Sequence, residues 1–522
     1  MRFLASYYGK SIYSDYENLL KTNDILKKKL GTAEYLRNLE KKRLENLLSQ
    51  QDELKKENLE MKQKISDLER ECERLNGRLN IDGTNSHLPT SQTPIQKKKV
   101  IPNSREKTNR NIGGQPGHAK NKLEKFRDDE ISFNIEHSLE KCPECGDIDL
   151  EKIDEVTKDE LDYKIIVEKN RHHFNIYKCK CCNKEVREKI PNNLKEDNQY
   201  GPQVQAQALT LMNLGNVPIN KVRKIIAGFS GGDIKLSEGF ISKLQKKSSE
   251  ILYEFGNELR QELLKQSMVY WDDTVIMVNQ KRSCLRFYGD EKLAIYKAHP
   301  QKNKEGLDDD NILKLLDKEV IVVHDHNKVN YNKDYIFRNA ECCQHLLRDL
   351  KKISDNLNHD WSKELVALLK DTNTARKKNI EENVNKFTPE ETAVFFDSFN
   401  DIMLKAFKEN AEDQNKYYSD SEETLIKRIL DYKNEYLLWV LDFEVPFTNN
   451  LSERNLRGVK SKMKISGQFQ NIKSARYYAD IRSYIETCNK NGINEFEALL
   501  MLSIGEPYSL ADILAYPKNQ LS

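Results

Sequence analysis

Apolar positions change their period repeatedly along the chain, and each change predicts a different element. Between residues 15 and 81, Leu47, Leu54, Met61, Leu68 and Leu75 recur every seven residues, and Leu44, Ile65, Cys72 and Leu79 fill the series three residues earlier. Two apolar positions per heptad predict a coiled-coil seam. Asn58 stands in the companion series, where a buried Asn fixes register, and Gln51 interrupts it. A homodimer through residues 1–81 is the preferred reading, with a long solvated helix as the alternative.

Residues 82–125 lose all periodicity and are rich in Ser, Thr, Asn, Pro and Gly, which predicts a flexible connector. A mostly polar, strand-like stretch follows at 126–198. Residues 199–266 read as short helices broken at Gly215, Pro218 and Gly228 to Gly232. Next come β-branched runs in MVYWDDTVIMVN, CLRFYGDEKLAIYKAHP and KEVIVVHDHNKVNY, with a helix from about Gly306 between the last two. That order predicts a mixed α/β unit over 267–500. Inside it, 355–445 is almost wholly helical, with Trp361 and Trp439 as core anchors, and a basic amphipathic helix opens near Asn449. Residues 501–522 are read as a C-terminal tail.

Composition narrows the picture. A chain of 522 residues exceeds a single core, so a multidomain α+β protein is expected. It is 32% charged with a formal net charge of +2, so any nucleic-acid binding must come from local patches. Such patches exist. In the connector Lys97, Lys98, Lys99, Arg105, Lys107, Arg110, Lys120 and Lys122 face one acid, Glu106. Lys243, Lys246 and Lys247 lie on a helix that suits helix-turn-helix geometry. No run approaches the roughly 20 apolar residues of a membrane span, and an intracellular protein is the expectation.

Ten cysteines include two CxxC corners, Cys142/Cys145 and Cys179/Cys182. Four thiolates around one structural Zn2+ would replace the core that so small a unit lacks. Cys181 is a spare, and His172 and His173 read as surface residues. Cys342, Cys343 and His345 form another close group, but with no distant partner evident it is not read as a second zinc site.

Three acids stand out: Asp272 and Asp325, in or at the end of apolar runs, and Glu453, far downstream at the start of the basic helix. Carboxylates so placed can grip divalent metal for phosphoryl transfer. Each alone reads equally as a turn or cap residue. Asn449, Glu453 and Arg457 recur at i, i+4 and i+8, with Thr448 or Asn449 available as cap and Asn450 on nearly the same side. Arg454, Arg457, Lys460, Lys462 and Lys464 form a cationic run suited to DNA.

The words WDDT, HDHNKVNY, ECCQHLLRDL, NNLSERNLR with SGQF, SYIETCNKNGIN, and in the first half NSHLPTSQ, GGQPGH, CPECG and QYGPQVQA resemble those of the insertion sequence 66 family of bacterial DDE transposases. The resemblance covers nearly the whole chain. It implies an RNase H-like catalytic core in which Asp272, Asp325 and Glu453 hold two Mg2+ (or Mn2+) ions. Asp272 rather than Asp273 is then the ligand, and His345, of a Cys-x-x-His word with Cys342, lies near the scissile phosphate. The implied reaction is strand cleavage at the element's ends and transfer to target DNA. It also implies a leucine-zipper-like N-terminus, a zinc-binding domain that recognises element ends, accessory proteins of the same element, and a cytoplasmic, nucleoid-associated location. Two rivals remain: a catalytically retired, DNA-binding descendant, and a coiled-coil interaction protein without DNA.

Overall fold

The computed structural model describes residues 2–80, 125–191, 194, 196–413 and 416–517. The basic connector with the Gly113–His118 word lies outside the described residues, apart from Lys125. Helix α1 (Arg2–Asn80) begins earlier than its heptads suggest. Its seam residues Leu44, Leu47, Leu54, Met61, Ile65, Leu68, Leu75 and Leu79 are 45–64% exposed, an apolar stripe broken only by Gln51 and Asn58 over that span. Among the described residues its last turns touch the body, where the Tyr417 N–H donates to Glu73 and Arg70 lies 3.6 Å from Asp420.

The CxxC unit forms one small hairpin, β1 (Ile176–Lys178) with β2 (Glu185–Arg187). Phe133, Ile153, Tyr163 and Ile166 around it are 77–91% exposed, so the described residues of the unit form no apolar core of their own.

The body starts with four helices, α2 (Pro202–Asn213), α3 (Ile219–Phe229), α4 (Glu238–Ile251) and α5 (Tyr253–Leu263). Three strands follow, β3 (Met268–Val278), β4 (Lys281–Gly289) and β5 (Ala294–His299). The short helix α6 (Lys304–Asp309) leads to β6 (Ile321–His324) and β7 (Arg338–Glu341). The sheet order is β5-β4-β3-β6-β7, with β4 antiparallel to both its neighbours and β6 parallel to β3 and β7. Asn279 and Gln280, both at positive φ, make the tight β3–β4 turn whose twist matches a hairpin. Strand β7, four residues of RNAE, escaped the sequence reading because it lacks the β-branched residues that announce a strand.

Helices α7 (Cys343–Leu357), α8 (Asp360–Glu381), α9 (Pro389–Glu412), α10 (Ser419–Asp431), α11 (Lys433–Tyr436) and α12 (Leu438–Leu441) build the helical segment expected at 355–445. Trp361 and Trp439 are buried in its core, as their sequence context suggested. Helices α13 (Asn450–Ser466), α14 (Ile472–Lys490), α15 (Glu495–Ile504) and α16 (Leu510–Ala515) close the chain.

Alternation along the strands sends side chains to two different cores. Val269, Trp271, Tyr288, Ile295 and Val322 face a core shared with α2–α5 and α14–α16. Residues 199–266 are therefore packed into the body rather than hung beside it. Leu502, Leu510 and Ile513 in the same core show that the expected tail from 501 is folded structure: its apolar spacing is helical and too short to announce itself. On the opposite face, Ile276, Leu285, Phe287 and Tyr296 meet α13 and the start of α14, while Ile321, Val323 and Ala340 meet α7–α12. The outer edge of β5 is covered by α14. Ser483 and Thr487 hydroxyls accept the Tyr296 and Ala294 N–H groups at 2.8 and 3.2 Å, which leaves no strand edge open there.

Candidate active site

Register decides which acids meet. Tyr270 of β3 pairs with Val323 of β6, so two residues further along the parallel strands Asp272 and Asp325 stand level with each other. Adjacent strands lie about 4.8 Å apart. Asp272 shares parity with Tyr270 and Ile276 and so lies on the face that α13 covers. Asp273 takes the opposite face, where Lys302 pairs with it at 2.6 Å.

Asn449 then brings in the third acid. It is fully buried just before α13, its Nδ2 donates to the Trp271 carbonyl at 2.9 Å, and its backbone N–H donates to the Cys342 sulfur at 3.2 Å. The sequence offers Thr448 or Asn449 as the helix cap, and the structure places Asn449 there, but its side chain bonds β3 instead of the helix's own N–H groups. That tie sets Glu453, one turn on, over the end of the sheet, close enough for its charge to act on Cys342 and His345.

Electrostatics follow from this crowding. Burial, then the charges of Asp325 and Asp273, push the Asp272 carboxyl up to about 8, against a smaller opposing pull from the Asp273 N–H and Lys460. His345 Nδ1 lies 3.0 Å from an Asp325 oxygen. Burial works against its protonation, yet the bond to Asp325 and the charges of Asp325 and Glu453 together raise the imidazole above its ordinary value. Burial and the charge of Asp325 hold the Cys342 thiol well above its usual range.

Ligand atoms of Asp325, Cys342 and His345 lie within 4.8 Å of one another, and Asp272, Asp325 and Glu453 do not close to that distance as a trio. The expectation that the Cys342–His345 word lacks a distant partner is thereby corrected. Its partner is Asp325, out of view in the sequence because it belongs to another strand. Cys343 points elsewhere, its thiol donating to the Tyr436 carbonyl.

Neighbouring histidines serve the frame. His324 is fully buried and its Nδ1 lies 2.9 Å from the Asp325 carbonyl oxygen. His326 Nδ1 bonds Glu341 at 2.8 Å, and the Tyr331 hydroxyl donates to the same carboxylate at 2.6 Å. Nothing in the sequence marks Glu341 as the anchor of the loop that carries Asp325.

Along α13, Asn450, Arg454, Arg457, Lys460 and Lys464 are exposed and Glu453 is half-buried. Lys462 departs from the expected cationic run. It lies inside, its Nζ donating to the Met212 carbonyl at 3.3 Å and sitting 4.9 Å from the Tyr478 ring. The helical period turned it toward α2 and α14. Burial, then Arg482, push its pKa down to about 8 from 10.5. Between those values the folded state has released a proton that the unfolded state keeps, so stability should rise with pH through that window. We expect a gain of roughly 2 kcal/mol between pH 8 and 10.5, offset in part by the ring contact. Denaturant melts of Lys462→Met across that range should show the slope flattened; an unchanged slope would place the titrating group elsewhere.

The cysteine corners are formed separately. Backbone N–H groups of Cys145 and Glu144 point at the Cys142 sulfur and lower its pKa, and those of Cys182 and Cys181 do the same for Cys179. Cys142, Cys145, Cys179 and Cys182 are not gathered into one cluster of ligand reach among the described residues. Lys243, Lys246 and Lys247 are exposed on α4.

The model of the transposase IS66 family matches residues 197–477, just over half the chain. The chain belongs to the transposase IS66 family. A search of curated proteins returns no match. The matched span of this IS66-family protein starts just before α2 and ends within α14, so it holds all five strands of the larger sheet and the elements bearing Asp272, Asp325 and Glu453. Membership implies a DNA-cleaving transposase that binds DNA, with a divalent-metal requirement. No described helix is long and apolar enough to cross a membrane.

Proposed function

We propose that this IS66-family protein is a DDE transposase that cleaves DNA strands at the ends of its insertion sequence and joins them to target DNA. The observation that carries the reading is the register that sets Asp272 level with Asp325 beneath the helix bearing Glu453. The strand order, with one parallel neighbour of β3, supports the reading of an RNase H-like core.

Three carboxylates at one sheet end are a hard, anionic donor set, and the Asp272 carboxyl is raised by burial first and then by the neighbouring acids, a crowding that a bound cation would relieve. The chemistry fits Mg2+ or Mn2+ held by Asp272, Asp325 and Glu453. Such ions, when bound, supply Lewis acidity for the attacking and leaving oxygens and spread the transition-state charge. The chain's own residues do the rest. Asn449 holds Glu453 in place, and His345 fixes the orientation of the Asp325 carboxylate. Exposed Asn450, Arg454 and Arg457 line the approach and hold the phosphate backbone, helped by Lys460 and by Lys243, Lys246 and Lys247 on α4.

Other parts serve assembly. The exposed stripe on α1 is suited to a second copy of this chain, giving a homodimer that can pair two ends. Each cysteine corner presents N–H groups to thiolates, and one Zn2+ would draw the two corners together and stand in for the missing core. Accessory proteins of the same element complete the expected partners.

The test is strand cleavage and joining by the full chain on DNA carrying the gene's own flanking sequence. Products with Mg2+ and none after chelation are expected. Salt-sensitive DNA binding without cleavage under any divalent ion would instead mark a retired, regulatory copy.

A further inference from the structure

Cys342 occupies the cap position of α7 and His345 the third residue of that helix. Side chains at those two positions come together across the first turn. Both converge on Asp325, and the three ligand atoms lie within 4.8 Å of one another. Sulfur, imidazole nitrogen and carboxylate oxygen make a soft, mixed donor set, unlike the all-oxygen surroundings that Mg2+ prefers.

We propose that Asp325, Cys342 and His345 form a three-ligand site for a thiophilic divalent ion of the zinc class, and that filling it silences phosphoryl transfer by withdrawing Asp325 from the hard ions. The second half rests on the role given to Asp325 above. Three protein ligands with an open fourth position are a common tetrahedral zinc arrangement. The Asp325 and His345 side chains are 29% and 16% exposed, so an ion can enter past them, while Cys342 waits behind at 1% exposure. Binding sends the thiol proton, and the extra proton of any His345 imidazolium, to solvent and leaves thiolate–metal and imidazole–metal bonds, with no change of oxidation state. An Asp325 oxygen committed to an ion held by Cys342 and His345 is lost to the hard ions beside Asp272. A protein of this kind would cut DNA only when free zinc is scarce.

The experiment counts metal on the full chain, freed of zinc and titrated with Zn2+ against a chromophoric chelator. Co2+ titrated in parallel reports thiolate ligation through its sulfur-to-metal charge-transfer band. Cys342→Ser keeps an acceptor for the Asn449 N–H, and His345→Gln alters a partly exposed residue, so the two do not share a folding defect. Each is expected to hold one equivalent fewer than the intact chain, or to hold it at least about 100-fold more weakly, with part of the band lost. Equal stoichiometry and equal absorbance in the intact chain and both variants would overturn the site. The same equivalent should stop Mg2+-driven cleavage by the intact chain, and full-rate cleavage with it bound would overturn the silencing. Absence of cleavage with Mg2+ alone is a failure of the functional reading, and the metal count still decides the site.

Discussion

Asp272→Asn should abolish strand cleavage and, at the same time, make the metal-free protein more stable. The loss follows from removing a carboxylate at the centre of the acidic group, and roughly three or more orders of magnitude in rate are expected, with DNA affinity retained. The gain follows from proton linkage. An Asp carboxyl titrates near 3.8 when unfolded and at about 8 here. Between those values the folded state holds a proton that the unfolded state has released, so wild-type stability falls as pH rises through that window. Asn carries no titrating proton and removes the slope, so the variant's advantage should grow from near zero at pH 4 to roughly 2–4 kcal/mol at pH 8. Denaturant melts of chelated protein at several pH values read this directly. A variant that is inactive but shows the wild-type slope would remove Asp272 as the strained carboxyl. One that still cleaves would remove it from the chemistry. Asp325→Asn and Glu453→Gln should match the kinetic loss.

Asn449→Ala should cost both stability and rate without touching DNA affinity. Its buried amide donates to the Trp271 carbonyl, and truncation leaves that carbonyl unpaired in the interior, at about 1–3 kcal/mol. Glu453 rides one turn beyond this tie. A displacement of about 1 Å at a reacting centre costs on the order of 100-fold in rate. Asn449→Asp keeps the shape but turns an oxygen toward the carbonyl, so it should be at least as damaging. Normal cleavage by a destabilised Asn449→Ala protein would make the residue a core group only. Loss of rate with intact binding would mark it as the positioning residue for the last acid.

Much of this could be read before any coordinates. The heptads of α1, the strands around Asp272 and Asp325 and the helical stretch after Leu357 rest on period, which is local, whereas the preference for Asp272 over Asp273 is what the family words imply. What period could not give was partnership across the chain. Cys342 and His345 gain Asp325 through the β6–β7 pairing, and Asn449 gains Trp271 through packing of α13 on β3. Lys462 was assigned to the surface by charge alone and went inside because its helical angle faces α2.

The sequence by itself determined the element types, the two cysteine corners, the family words and the three acids, because propensity, spacing and residue chemistry are properties of short segments. Only the tertiary structure decided that Asp272 and Asp325 share a level and a face, that α13 is tied down by a buried amide, that the last helices belong to the core, and that a thiol and an imidazole close on an acidic site. Those outcomes depend on strand register and on which faces of distant elements bury each other. Both are fixed by the packing of the whole chain, so no local window contains them.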